Sequence, residues 1–195
     1  MAVNRRTDRP VEDERIVQWT AKSGGPLAME YTGCTFTGCD FASVKLTGRR
    51  FTECVFEGCN LTLANVSGTT FNSVTFRECK LTGVRFDEAD TFLFTAVFER
   101  CVMERTVLTG MKLPKQEFQE CRMKEADLSG CDLTGAHFDR CDLEGALFER
   151  TNLSKADLTT AYNFRIDPEQ NKLTKTRFAA SGIAGLLAKY DIIIE

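Results

Sequence analysis

The chain has 195 residues, the length of one ordinary domain, and a formal net charge of −3. That charge argues against a general nucleic-acid binder, which needs a basic face to neutralise phosphates. No apolar run is long enough for a secretory signal or a membrane span, so a cytoplasmic protein is expected, without membrane association.

Residues 1–28 are predicted to form an N-terminal tail and a possible cap. Charges of both signs are mixed up to Arg15, which is typical of a mobile tail. Ile16, Val17 and Trp19 are the candidates to dock on the first coil of the following segment. Such a cap would cover strand edges and apolar side chains at an open end.

A five-residue repeat follows. Large apolar residues recur at every fifth position from Tyr31 to Phe86 and again from Phe98 to Leu158, which gives 25 centres. All nine cysteines stand two positions before a centre, and ten of the 14 glycines stand two positions after one. A period of five fits neither a helix nor an alternating strand. It predicts a chain that turns a corner in every repeat and buries one small and one large side chain per side.

Segments such as CDLTGAHFDRCDLEGALFERTNLSKADLTT have the A(D/N)LxG pattern, and residues 29–178 resemble the pentapeptide-repeat proteins. The resemblance implies an all-β fold, a right-handed quadrilateral β-helix with four repeats per coil and about six coils. Residues 20 apart would then stack at the strand spacing of ~4.8 Å. Two aromatic series have this spacing: Phe36, Phe56 and Phe76, and Phe98, Phe118 and Phe138.

The repeat is interrupted once. Phe86 and Phe98 are 12 residues apart, two more than two repeats require. We expect a kink or a small bulge within residues 87–97. It is either an accommodated insertion or a feature that contacts a partner.

Residues 179–195 are predicted to be a C-terminal helix and strand. Ser181 is the candidate cap of a helix with one apolar face, and residues 191–194 are the candidate strand. This tail resembles the C-terminal module of Qnr-type and albicidin-resistance pentapeptide proteins, which implies a two-fold homodimer. The predicted interface comprises Phe178, Ile183, Leu186, Leu187, Tyr190, Ile192 and Ile194.

No catalytic or metal site is predicted. The cysteines share their slot with Ala, Thr and Val, which favours a structural role. His137 is the only histidine, and it lies on an outward phase, so no nucleophile and base are paired. We therefore expect neither a cofactor nor an enzyme.

Acidic side chains are concentrated in residues 116–159, where ten acids and five bases give a net charge of −5. Family members that resemble this chain imitate DNA and bind DNA gyrase or topoisomerase IV, and they protect their hosts from drugs or toxins directed at gyrase. One hypothesis is therefore a DNA mimic, and the alternative is a scaffold for an unrelated protein, with charges paired along the coils. The chain lacks the large projecting loops of the Qnr type and is closer to the albicidin- and microcin-immunity type. The predicted partner-binding residues are Asp127, Asp132, Asp139, Asp142, Glu144, Glu149 and Asp157.

Overall fold

The five-residue spacing folds into a parallel β-solenoid of about eight turns. The computed structural model describes residues 9–190 and 192–193. Each repeat supplies a short extended segment and a corner, so the strands have two to four residues. The strands are β1 (Val11–Glu12), β2 (Arg15–Val17), β3 (Glu30–Thr32), β4 (Thr35–Thr37), β5 (Arg50–Thr52), β6 (Val55–Glu57), β7 (Thr70–Asn72), β8 (Val74–Arg77), β9 (Ala96–Glu99), β10 (Glu117–Gln119), β11 (His137–Asp139), β12 (Asp157–Leu158) and β13 (Arg177–Phe178).

The strands stack in register on the sides of the solenoid. Face A holds the four-stranded sheet β1-β3-β5-β7 and continues through the bridged column Lys112, Asp132, Asn152 and Lys172. Face B is the nine-stranded sheet from β2 to β13. Face C follows the bridges from Thr20 to Tyr162, and face D follows those from Lys45 to Asn65 and from Arg85 to Leu147.

The core consists of the predicted centres. All 25 are buried, which confirms the inward phase of the repeat. Behind face B, the two predicted aromatic series join into one column of six stacked rings, with neighbouring centroids 4.7 to 5.6 Å apart. Stacked aromatic rings stabilise a core beyond the area that they bury.

At the corner position of the repeat, two residues after a centre, the backbone adopts the left-handed conformation that the glycines predict. At Gly110, for example, φ is +72°, and all ten predicted corner glycines have a positive φ. Glycine adopts this conformation without a steric cost. Seventeen non-glycine residues of the described chain, including Glu78 and Lys155, hold a positive φ as well, so many corners keep an outward-pointing side chain.

The small inward slot is a hydrogen-bonding position. The Cys59 and Cys79 thiols donate to the carbonyl oxygens of Phe36 and Phe56, each at 3.2 Å. Thr151 occupies the same slot, and its hydroxyl donates to the Leu128 carbonyl oxygen at 2.9 Å. All nine cysteines are buried and free.

The solenoid begins earlier than the sequence analysis expects. Val11 pairs with Tyr31 and Ile16 pairs with Phe36 in parallel register, so residues 11–17 belong to the first coil rather than to a tail. This coil and the last degenerate repeats raise the turn count from the six predicted to about eight. Trp19 stacks on Phe41 at 5.0 Å between ring centroids, whereas Val17 is exposed and does not dock.

The two-residue insertion forms a bulge on face A. After a short 3₁₀ helix at Phe86–Glu88, the chain bulges outward over residues 90–95. Phe94 turns into the core, while Phe92 is 91% exposed. Pairing resumes with an offset of 22 residues, so the faces above and below the bulge stay aligned.

The C-terminal helix is present, but it is a 3₁₀ helix. It spans Ala180–Leu186, so Ser181 lies inside it and does not cap it, and a second one spans Ala188–Tyr190. The helix lies so close to the rod that a Cβ at Gly185 would be 2.2 Å from the Phe164 carbonyl oxygen, so this position requires glycine. Ile192 and Ile193 are not in a strand, and the rest of the predicted strand lies outside the described residues.

Across the part of the chain that the structure describes, no helix has the length and apolar character needed to cross a membrane.

Candidate functional site

The predicted acidic residues do not share one surface. Their positions in the ladders distribute them over all four faces. Asp132 lies on face A, and Asp139 and Asp157 lie in β11 and β12 of face B. The remaining four are divided between the other two faces: Asp142 and Glu144 on face C, and Asp127 and Glu149 on face D.

More than half of the acids in residues 116–159 form ion pairs, five of them with a base of a neighbouring coil and Asp139 with the adjacent Arg140. Six of the ten form ion pairs with Arg or Lys: Glu120, Glu125, Asp139, Asp142, Glu144 and Asp157. Glu120, for example, pairs with Arg140, 20 residues on, at 2.8 Å. Glu99, by contrast, pairs with Arg77 of the coil above rather than with the adjacent Arg100. These ladders favour the interpretation of the charges as cross-coil pairs.

Two of the predicted acids hold their own corners. Asp127 Oδ1 accepts a hydrogen bond from the Ser129 backbone at 2.9 Å. Asp132 Oδ1 accepts one from the Thr134 backbone and one from the Asn152 side chain, both at 3.1 Å. These carboxylates therefore stabilise turns as well as contributing charge.

Face B is the most acidic side of the C-terminal half. From residue 96 to residue 160 it carries five acids and two arginines, a net charge of −3. The acids recur on successive strands, so their carboxylates form a ladder with one step per coil. They are Glu99, Glu117, Glu120, Asp139 and Asp157. Of these, Glu117 lies exposed on β10 without an ion pair among the described residues.

The predicted dimer-interface residues divide into two groups. Phe178 and Leu186 are half-buried against the subunit's own core, and the Phe178 ring lies 5.4 Å from that of Phe164. Leu187 is also half-buried. Ile183, Tyr190 and Ile192 are about half exposed and leave an apolar end surface, and Ile194 lies outside the described residues.

Ion pairs fasten the terminal helix to the rod. Lys189 Nζ lies 2.7 Å from Asp167 Oδ1 and 2.6 Å from Glu169 Oε2. The Tyr190 hydroxyl donates to Glu169 at 2.8 Å. The Lys189 ammonium holds the pKa of both carboxyls below their usual range.

The Cys54 and Cys131 thiols are poorly suited to nucleophilic chemistry. Burial raises the pKa of Cys54 and of Cys131 to about 12. A thiolate is the reactive form, so these groups stay protonated and inert at neutral pH. Within residues 9–190 and 192–193, no group of three or more His, Cys, Asp or Glu side chains is placed to bind a metal ion.

The sequence analysis missed the charge of face A. Its lower half displays five exposed lysines, and the bulge beside them exposes Phe92 and Leu93. Residues 91–97 and 112–117 line an open groove of about 700 Å³ between the bulge and these lysines. The lysines are Lys112, Lys115, Lys155, Lys172 and Lys175. Their spacing by multiples of 20 and the repeat phase are the signals that would have revealed them.

Comparison with known proteins agrees with this architecture. Residues 29–96 and 72–148 match the family model for the pentapeptide repeat region. A trypsin-treated form of QnrB1, a plasmid-mediated fluoroquinolone resistance protein, is similar in structure with a TM-score of 0.62 and 19% identity, over 96% of this chain and 98% of that one. Full-length QnrB1 gives a TM-score of 0.53 and 20% identity, over 94% and 100%. No curated protein matches the chain by sequence.

Proposed function

Since the chain belongs to the pentapeptide-repeat family, we propose that it is a non-enzymatic, protein-binding rod and that its partner is DNA gyrase or topoisomerase IV. The observation that supports binding through a flat side is the carboxylate ladder on face B, which repeats once per coil. Duplex DNA also presents negative charge at regular intervals, one per ~1.7 Å of its axis. Face B, with at least one acid in every coil from Glu99 to Asp157, is therefore the side of this rod that best imitates DNA.

The proposal narrows the predicted binding surface. Within the acidic set, Asp139 and Asp157 lie on face B, whereas Asp127 and Glu149 lie on face D. We place the contact on face B, with Glu117 added. Of the other predicted acids, Asp142 and Glu144 are ion-paired with Lys124, and Asp127 and Asp132 stabilise turns on their own faces.

The first experiment is a gyrase supercoiling assay with increasing protein, with and without a gyrase poison. Inhibition of supercoiling, or relief of poisoned cleavage, is expected at micromolar protein. Reversal of Glu117 and Asp139 to Lys should abolish the effect. The matched control reverses Asp127 and Glu149 on face D and should retain it. Equal activity of both variants would contradict binding through face B.

A scaffold for an unrelated protein is the second candidate function. It is favoured by the ion pairing of six of the ten acids, since paired carboxylates present less charge to a partner. An inactive protein in the gyrase assay, together with specific capture of a protein other than a topoisomerase from a bacterial lysate, would favour this function.

We further propose a homodimer joined at the C-terminal ends and a cytoplasmic location. Ile183, Tyr190 and Ile192 supply exposed apolar surface at that end. Nine free thiols suit a reducing compartment.

A further inference from the structure

Face A changes its charge from one end of the rod to the other. We define the face by the residues that flank its buried centres and by the corner residue that follows. Before the bulge this set carries four acids and one arginine, a net charge of −3, and after it five lysines and one aspartate, a net charge of +4. The acids before the bulge are Glu12, Asp13, Glu30 and Glu53.

The lysines of the basic half form no ion pair with the part of the chain that the structure describes. Fifteen ion pairs are formed among the described residues, and none of them includes a lysine of face A. Of the charged groups on the acidic half, only Glu30 and Arg50 are paired with each other, at 3.4 Å. Both halves of the face therefore keep charge available for a partner.

The exposed apolar bulge lies midway between the two halves. Each coil contributes one level to face A, namely a centre and the residues that flank it. The face has nine levels from Val11 to Leu173, and the bulge over residues 90–95 is the fifth. Its position on this face is fixed by contacts on both sides. Thr95 Oγ1 donates to Asn72 Oδ1 above it, and Gln116 Nε2 donates to the Ala96 carbonyl oxygen below it.

We propose that face A binds a second copy of this chain side by side, with the two rods antiparallel. A two-fold axis through the bulge superposes the first level on the ninth, the second on the eighth and the third on the seventh. Asp13 then lies opposite the partner's Lys175, with Glu12 on the same level as the partner's Lys172. Glu30 lies on the same level as the partner's Lys155. Arg50 faces the partner's Asp132, which is the acid in the otherwise basic half. An isologous interface requires this self-complementarity.

The apolar groove supplies the centre of the interface. Phe92 is 91% exposed and lies against an open groove whose far wall is residues 112–117. At the axis, each Phe92 enters the groove of the other copy. An aromatic anchor surrounded by complementary charges is the usual arrangement of a protein interface. Since the charges are exposed, the association should weaken at least tenfold between about 50 mM and 500 mM salt.

A charge swap tests the geometry. One variant carries Lys155→Glu, Lys172→Glu and Lys175→Glu, and the reciprocal one carries Glu12→Lys, Asp13→Lys and Glu30→Lys. Both are made with Leu187→Glu, so that the C-terminal interface does not contribute. By sedimentation at low salt, each variant alone should self-associate at least tenfold more weakly than its parent. An equal mixture should recover a one-to-one dimer of normal affinity.

The control reverses Lys45 and Lys80, two lysines on other faces, and should associate like the parent. A parent that stays monomeric at high concentration, or a mixture that does not recover the dimer, would overturn the proposal. If a different, acidic protein occupied this face instead, the parent would bind that protein and would not self-associate. That result would also overturn the proposal.

Cross-linking tests the position of the axis. Thr91 is exposed beside Phe92, and all nine native thiols are buried. Thr91→Cys with a short bismaleimide should therefore give a cross-linked dimer. Leu63→Cys, on face C and 62% exposed, should remain monomeric. Equal cross-linking at both positions, or none at Thr91→Cys, would show that the axis does not pass through the bulge.

Discussion

Phe76 and Phe98 are separated by 22 residues, yet their rings stack with centroids 5.4 Å apart and planes within 7° of parallel. The same column is built elsewhere from residues 20 apart. The two extra residues are therefore absorbed entirely in the bulge, and the core behind face B passes it without a break.

Removal of a ring from this column should be costly. Phe76→Ala is expected to lower the free energy of unfolding by about 3 to 5 kcal/mol, because it leaves a cavity among close-packed aromatic neighbours. Phe92→Ala is the matched control. Since that side chain is 91% exposed, its loss should change stability by no more than about 0.5 kcal/mol. Denaturant unfolding monitored by circular dichroism measures both.

Deletion of Thr91 and Phe92 should be tolerated. It restores the unbroken five-residue rhythm, because Ala89 and Asp90 are then followed directly by Leu93, which becomes a centre. We expect the unfolding free energy to stay within about 2 kcal/mol of the parent, since Leu93, a somewhat smaller apolar residue, takes the place of Phe94. Deletion of Ser129 and Gly130 from an unbroken repeat is the control. It shifts the register of every following coil and should prevent folding of the C-terminal half.

Leu187→Glu should prevent dimerisation through the C-terminal interface, because it places a charge in the apolar surface at that end. Leu63→Glu on face C should leave the assembly unchanged. Light scattering at high salt, where association through face A is weak, measures the mass. A dimer of Leu187→Glu under these conditions would place the interface elsewhere.

Acidification should loosen the terminal helix. The pKa values of Asp167 and Glu169 are lowered in the folded chain by Lys189. Their contribution to stability is therefore fully present above the ordinary carboxyl range near pH 4 and is lost as the pH falls through the lowered values. Hydrogen exchange of residues 180–190 should accelerate over that interval. In Lys189→Met, exchange in this segment should be faster at neutral pH and should respond less to acid.

The thiols should not react with thiol reagents while the protein is folded. Burial raises the pKa of Cys39 to about 11 and that of Cys54 to about 12, so a disulfide reagent at pH 8 should label few or none of the nine. All nine should react after unfolding without a reductant. A denatured count well below nine would reveal oxidation or a tightly bound metal. Cys59→Thr should preserve stability within about 1 kcal/mol, because Thr151 makes the equivalent hydrogen bond.

The core could be predicted from the sequence because the position of each residue within the five-residue repeat determines whether its side chain points inward or outward. The first coil could not be predicted in this way. The centres between Ile16 and Tyr31 would be Ala21 and Pro26, and neither is a large apolar residue of the kind that defines the repeat. The candidate site was predicted only as charge density. Whether Glu99 pairs with Arg77 or with Arg100 depends on the reach of side chains between coils. Counting charges along the chain also treated the acids of residues 116–159 as one surface, although the solenoid distributes them over four faces.

The left-handed corners have a consequence for how such a molecule acquires new partners. Glycine would be easier to accommodate at Lys155 or Glu78, where L-residues in this conformation cost about 1–2 kcal/mol. These corner side chains point away from the core, so each can be exchanged without disturbing a neighbour inside. Every coil thus offers several independent surface positions on an invariant frame. Recognition in a protein of this shape can be altered one position at a time while the backbone remains the same.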